Sequence, residues 1–194
     1  MRIVTFGNSL TVGFQSPTPE NPMGEPTPYG LFLHELMGEK SEILVMGVSG
    51  ELTSEMVQRL DRQVIQQKPD YVVILGGSND LGWGLQPEEI MENLILMYER
   101  VKEKGIQPIS LTVPSIRGFD AMIPPRKVLN SLMMEYSQSN HQPCVDLFMG
   151  TAEPETFRLA EKYSNDGLHF TTQGYRRIAE LLYQQFFKNI QDKE

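Results

Sequence analysis

The chain has 194 residues, 40% of them hydrophobic and 22% charged, the composition of an ordinary globular protein with a sizeable core. This excludes intrinsic disorder, and the single cysteine, Cys144, excludes a disulfide-stabilised miniprotein. A formal net charge of −8 without any cluster of Lys and Arg makes nucleic acid and anionic membranes unexpected partners.

The first six residues form an apolar run that is too short for a signal peptide or a membrane span. Together with the cysteine count, this favours a reducing cytoplasm. Cys144 lies in the segment PCVDL (143–147), which is typical of a strand, and is expected to be a small buried hydrophobe.

Short apolar runs alternate with segments of helical period along the whole chain. The runs are rich in Val, Ile and Leu, which is typical of strands covered on both faces. In chain order the sequence predicts strand 2–6, helix 29–37, strand 42–46, helix 53–67, strand 70–75, helix 87–104, strand 108–113, helix 128–137, strand 143–148 and helix 173–190. Five strand–helix repeats predict an α/β fold with a doubly wound parallel sheet in a single domain, residues 1–194.

Two longer loops are predicted, the proline-rich segment 15–28 and the segment 115–125. Both follow the carboxyl end of a predicted strand, which is where open α/β sheets place their ligand crevice. The residues that could carry chemistry are therefore expected near these strand ends.

The first such segment is GNSLT (7–11), directly after the first strand. A glycine allows the chain to turn, and Ser9 would then present its hydroxyl at the start of the next element. Backbone N–H groups at this position can stabilise a developing oxyanion. The alternative is that Ser9 only caps a helix.

The second segment is NDGLHFT (165–171), before the last helix. Asp166 precedes His169 by three residues, and a carboxylate so placed can orient an imidazole and stabilise its cation. The pair could equally be half of a metal site or a helix cap, but no further His or Cys cluster supports a metal. His34, in a predicted helix, and His141, in a polar turn, are expected to be ordinary residues.

Two glycine-containing turns follow the second and third strands: VSGELT (48–53) and GGSND (76–80). Glycine allows a backbone N–H to approach a ligand, and the amide of Asn79 is a competent oxyanion donor. Each turn could also be only a tight strand-to-helix connection.

Taken together, these four segments resemble the blocks of the SGNH hydrolases, also called the GDSL esterase and lipase family, from residue 3 to about residue 182. The resemblance implies a flavodoxin-like three-layer α/β/α sandwich with a five-stranded parallel sheet. It also implies that Ser9 is the nucleophile of a triad with Asp166 and His169.

The resemblance further implies an oxyanion hole made by the N–H of Ser9, the N–H of Gly50 and the side chain of Asn79. One position departs from the family pattern: Asn8 stands where an aspartate is usual. The usual aspartate is not a triad member, so activity is expected to persist.

The implied function is hydrolysis of small acyl esters, short-chain or acetyl, through an acyl-enzyme, with a carbohydrate deacetylase as the leading variant. No metal and no organic cofactor is implied, the partner is a small-molecule ester, and the oligomeric state is left open. An α/β-hydrolase is excluded because GNSLT lacks the second glycine of Gly-x-Ser-x-Gly. The remaining alternatives are a flavodoxin-like flavin- or phosphate-binding module and a catalytically inactive scaffold.

Three side chains are candidates for the substrate pocket. Trp83 is either an aromatic wall or a packing residue. Arg117 and Arg126 could contact a charged substrate, although solvation at the surface is the expected role of each.

Overall fold

In a computed structural model the chain forms one five-stranded parallel sheet with the strand order β2-β1-β3-β4-β5. The structure describes residues 1–39 and 41–191, so Lys40 and residues 192–194 of the predicted domain lie outside it. The strands are β1 (Arg2–Gly7), β2 (Glu42–Gly47), β3 (Tyr71–Leu75), β4 (Gln107–Leu111) and β5 (Cys144–Val145).

Helices connect the strands and cover both faces of the sheet. They are α1 (Ser9–Val12), α2 (Tyr29–Met37), α3 (Thr53–Gln63), α4 (Ser78–Gly82), α5 (Pro87–Lys102), α6 (Ile123–Ser139), α7 (Leu147–Thr151), α8 (Thr172–Leu182) and α9 (Lys188–Gln191), with a π-helical turn at Tyr183–Phe187 between α8 and α9. Among these described helices, none is both long enough and apolar enough to cross a bilayer.

Two hydrophobic cores lie on opposite faces of the sheet, because successive strand residues point to opposite sides. Ile3 of β1 packs in the core shared with α2 and α8. Its neighbour Val4 packs in the core shared with α3, α5 and α6. The predicted three-layer α/β/α sandwich with a five-stranded parallel sheet is confirmed.

The strand order reverses at β1, since the chain runs outward to β2 and then returns to add β3 on the other side of β1. Such a reversal opens a crevice at the carboxyl ends of the strands, as known for flavodoxin-like sheets. The loops that follow β1 and β3 therefore border the same crevice.

Helix α6 begins at Ile123, five residues before the predicted start, so the loop predicted to end at 125 is shorter. The two prolines at 124 and 125 lie in its first turn, where the missing N–H breaks no helical hydrogen bond.

Strand β5 spans only two residues instead of the predicted 143–148. The side chain of Asp146 accepts a hydrogen bond from the N–H of Met149 at 3.0 Å, which caps α7 and ends the extended segment.

Candidate active site

Ser9 is the first residue of α1 and lies directly beyond β1. The strand end needs a glycine here, because a Cβ on Gly7 would lie 2.2 Å from the carbonyl oxygen of Leu75. Asn8 caps the helix by accepting a hydrogen bond from the N–H of Leu10 at 3.1 Å, so asparagine serves as the cap of this loop. Ser9 is 7% exposed, and its N–H has no partner within the helix because it belongs to the first turn.

Asp166 and His169 are joined within the turn before α8. Atom Oδ2 of Asp166 lies 2.9 Å from Nδ1 of His169. The other oxygen, Oδ1, accepts the backbone N–H groups of Leu168 and His169 at 2.8 and 2.7 Å. The carboxylate thus shapes the turn and contacts the imidazole at the same time.

Partial burial by itself would raise the pKa of Asp166. Hydrogen bonds from His169, from the Ser16 hydroxyl at 2.7 Å and from two backbone N–H groups outweigh this effect and hold the pKa well below its ordinary value. An ionised carboxylate can only accept hydrogen bonds, so Nδ1 of His169 must carry the proton that faces it. In the neutral imidazole, Nε2 is then the free base.

The segment after Ser9 contacts the His169 turn through the residue Phe14. The N–H of Phe14 donates to the carbonyl of Ser9 at 3.0 Å, and its ring meets the imidazole edge-on with 4.6 Å between centroids. The hydroxyl of Tyr175, on α8, donates to the carbonyl of Phe14. Within residues 1–39 and 41–191 the Ser9 hydroxyl itself makes no hydrogen bond to the imidazole.

Gly50 lies on the loop after β2, and Asn79 lies in the first turn of α4; a hydrogen bond from Asn79 joins the helix to this loop. Gly50 is exposed with a φ of +80°, a conformation that glycine adopts without strain. The amide of Asn79 donates to the carbonyl of Glu51, the next residue, at 2.9 Å. One N–H of the Asn79 amide thereby fixes the loop, and among the described residues the second N–H makes no hydrogen bond, so it can donate to another acceptor.

Three supporting residues gave no signal in the sequence: Ser16, Asp80 and Arg59. Ser16 bonds the Asp166 carboxylate. Asp80, fully buried, accepts the N–H and the hydroxyl of Thr53 at 2.9 and 2.5 Å at the start of α3. Arg59 forms a buried ion pair with Glu51. Ser16 is 150 residues from Asp166, Asp80 is 27 residues from Thr53, and Arg59 is eight residues from Glu51. Only the tertiary fold therefore reveals these contacts.

Of the pocket candidates, Trp83 directly follows α4 and is 78% exposed. The N–H of Arg117 donates to the carbonyl of Gly167 at 2.8 Å, beside the His169 turn. The Arg117 guanidinium bonds the carbonyl of Leu159 at 2.8 Å and the carboxylate of Glu153.

An open surface depression of about 440 Å³ lies beside the His169 turn and is lined by Arg117, Gly118, Phe119, Asp120 and Arg158. Ser9, Asn79 and His169 are not among its lining residues.

The expectation that Arg126 is solvated at the surface is wrong. Arg126 is 2% exposed, and its guanidinium donates to the Ser78 hydroxyl at 3.3 Å and to the carbonyl of Met122 at 3.1 Å. Helix α6 starts earlier than predicted and packs against α4, which encloses this side chain between the two helices.

Comparison with known proteins gives one family and several relatives. The GDSL-like lipase/acylhydrolase family matches residues 5–177. An arylesterase of Vibrio mimicus is 24% identical over 200 residues, which cover 97% of this chain and 90% of that protein.

Solved structures with the same fold cover nearly the whole chain. The lipase/acylhydrolase of Enterococcus faecalis is 25% identical with a TM-score of 0.79, over 97% of this chain and 96% of that one. A variant of Axe2, an acetyl xylan esterase of Geobacillus stearothermophilus, is 18% identical with a TM-score of 0.79, over 95% of this chain and 93% of that one.

Proposed function

The chain belongs to the GDSL-like lipase/acylhydrolase family, and we propose that it is a serine esterase that cleaves small acyl esters through an acyl-enzyme formed on Ser9. The observation that carries the proposal is the hydrogen bond of 2.9 Å between Asp166 and Nδ1 of His169, in a turn that also contacts the Ser9 segment through Phe14. It leaves Nε2 as a base on the side of His169 away from the carboxylate.

In the first half-reaction the hydroxyl oxygen of Ser9 attacks the acyl carbonyl carbon while Nε2 of His169 takes the hydroxyl proton. The tetrahedral intermediate then collapses, the bond to the alcohol breaks, and His169 returns the proton to the leaving oxygen. Asp166 remains ionised and stabilises the imidazolium between these two steps.

In the second half-reaction His169 takes a proton from water, whose oxygen attacks the acyl carbonyl of the ester on Ser9. Collapse of this intermediate releases the carboxylic acid and returns the proton to Ser9. In both halves the negative oxygen is bound by the N–H groups of Ser9 and Gly50 and by the Asn79 amide, each donor contributing about 3 kcal/mol by comparison with known oxyanion holes.

For the substrate we propose short acyl groups, with an acetylated carbohydrate as the leading variant. The similarity to an arylesterase and to an acetyl xylan esterase supports small esters. The exposed ring of Trp83 offers an aromatic wall for a sugar or aryl group, and a charged group could bind beside Arg117. A flavodoxin-like binding module is not favoured, since it gives the segment DGLH (166–169) no role.

We further propose that residues 1–194 act as one catalytic domain, because the family match spans residues 5–177 and all the proposed donors follow strands of one sheet. The single cysteine supports the reducing cytoplasm as the compartment.

The test is hydrolysis of an aryl acetate, followed by a panel of acyl chain lengths and acetylated sugars, by the wild type and by Ser9→Ala. We expect Ser9→Ala to abolish turnover and to prevent labelling by a fluorophosphonate probe, with an unchanged circular dichroism spectrum. Ser54→Ala, which removes an exposed hydroxyl on α3, is the matched control and should keep full activity. Undiminished turnover by Ser9→Ala would remove the proposed nucleophile.

A further inference from the structure

A buried ion pair lies behind the loops that border the crevice. The Nε and Nη2 atoms of Arg59 each donate to a different carboxylate oxygen of Glu51 at 2.5 Å. The side chains of Arg59 and Glu51 are 9% and 6% exposed. The pair is bidentate, the geometry that gives a guanidinium–carboxylate contact its directional specificity.

The remaining donors of the guanidinium bind the ends of two strands. The second N–H of Nη2 donates to the carbonyl of Gly7, at the end of β1, at 3.0 Å. Nη1 donates to the carbonyl of Met46, on β2, at 3.1 Å and to the side chain of Gln63 at 2.5 Å. The cation also lies 4.2 Å above the ring of Phe6. All five N–H donors of Arg59 are thus used.

The residues that this ion pair contacts are close in sequence, or hydrogen-bonded, to the three proposed oxyanion donors. Gly7 lies two residues before Ser9, and Glu51 directly follows Gly50. The backbone carbonyl of Glu51 accepts the Asn79 amide at 2.9 Å. One guanidinium therefore connects the end of β1 with the loop after β2 and, through Glu51, with helix α4 beyond β3.

We propose that Arg59 and Glu51 are positioning residues that hold these three donors at the spacing an oxyanion requires; this inference rests on the proposed function. The pair is neutral overall, so its contribution is geometric more than electrostatic. Hydrophobic side chains can often replace a buried ion pair without loss of stability, but they cannot supply five directed hydrogen bonds. A displacement of a reacting group by about 1 Å can cost a factor of about 100 in rate.

The central experiment replaces the pair by apolar side chains in the double variant Glu51→Leu/Arg59→Met and measures hydrolysis of an aryl acetate. We expect a melting temperature near that of the wild type, kcat lowered by about 10- to 100-fold, and KM changed by less than about threefold. The matched control is Asp61→Leu/Arg100→Met, which removes an ion pair between α3 and α5 at the surface and should leave kcat unchanged. Wild-type kcat in the double variant would overturn the proposal.

A second measurement separates positioning from a general structural role. In an Asn79→Ala background one donor is already missing, so the double variant should lower kcat by a smaller factor than it does in the wild-type background. Equal factors in both backgrounds would mean that the pair does not act through the oxyanion hole.

Should the double variant fail to fold, Glu51→Gln and Arg59→Lys provide the same test. Glu51→Gln retains one acceptor for Arg59, and Arg59→Lys retains the charge but not the planar fork. We expect both to lower kcat, and wild-type kcat in both would overturn the proposal. Failure of the proposed function is recognised separately, because Ser9→Ala would then be as active as the wild type.

Discussion

The tautomer of His169 is decided by a single neighbouring atom, Oδ2 of Asp166, because an ionised carboxylate accepts hydrogen bonds and cannot donate them. The same carboxylate is bonded by the Ser16 hydroxyl and by two backbone N–H groups. Neutralising Asp166 would remove the partner of the imidazole and loosen the turn that carries it. At the residue scale, therefore, the shape of the turn and its chemistry depend on the same charge.

The depressed pKa of Asp166 gives a prediction for stability against pH. The unfolded carboxyl titrates near its ordinary value of 3.8, while in the folded chain the pKa is lower. The ionised carboxylate therefore contributes its full stabilisation above the unfolded pKa of 3.8. This contribution decreases below pH 3.8 and is lost as the pH falls through the folded pKa. We expect the difference in free energy of unfolding between wild type and Asp166→Asn, measured in urea, to grow from about pH 3 to about pH 5. A difference independent of pH in this range would contradict the assigned shift.

The role of the Asn79 amide gives a second prediction at this scale. Asn79→Ala should lower kcat by about 100- to 1000-fold with little change in KM, because the donor contributes chiefly in the transition state. Asn93→Ala is the matched control: its amide, on α5, donates to the Thr53 hydroxyl at 3.2 Å and has no proposed contact with substrate. Equal kcat for wild type and Asn79→Ala would exclude the amide from the oxyanion hole.

At the scale of elements, short helices orient the reactive groups and longer ones support them. Helix α4 has five residues and begins at Ser78, next to Asn79. Helix α4 packs against α6, and the buried guanidinium of Arg126 on α6 donates a hydrogen bond to the Ser78 hydroxyl. Burial lowers the pKa of Arg126 to about 10, and within the described residues no carboxylate lies at ion-pair distance from it.

A buried cation without a counter-charge costs stability, so Arg126→Met should raise the free energy of unfolding by about 1 to 3 kcal/mol. Chemical denaturation at pH 7 measures this difference. Arg62→Met, at an exposed position of α3, is the control and should change stability by less than about 0.5 kcal/mol. Destabilisation by Arg126→Met would show that its two hydrogen bonds outweigh the cost of burying the charge.

For the whole molecule, the decisive feature is the contact between the first loop and the last one. Ser16 bonds Asp166 at a separation of 150 residues, and Gln15 donates to the hydroxyl of Thr172 at 3.2 Å. The two halves of the site therefore exist together only when the entire sheet has formed. Activity and global structure should be lost in one transition.

The single cysteine can report this transition. Cys144 lies in β5, and burial raises its pKa to about 11, so little thiolate is present at neutral pH. We expect thiol labelling of the native protein at pH 8 to be about 100-fold slower than that of a free cysteine, and fast after unfolding. In increasing urea, labelling should accelerate at the concentration where esterase activity disappears. Loss of activity well before labelling accelerates would mean that the site opens locally.

The sequence by itself indicated the order of the five strands and of the longer helices, since hydrophobic periodicity and turn residues are local properties of the chain. The short helices α1, α4 and α7 were not predicted. It also indicated the segments that carry Ser9, Gly50 and Asn79, because each follows a strand and the carboxyl ends of parallel strands lie at the same edge of the sheet. The predicted ends of elements were less accurate where a helix cap interrupts an apolar run. Asp146 caps α7 in this way and ends β5 earlier than the run of apolar residues predicts.

Only the tertiary structure decided which side chains support these segments and which are buried. Arg59 and Arg126 are alike in the sequence, yet the first bonds Glu51 and two strand ends. The second lies between α4 and α6 with no carboxylate at ion-pair distance in the described part of the chain. The physical reason is that hydrogen bonding and desolvation depend on distances between elements far apart along the chain. Those distances are fixed by packing and not by any local pattern.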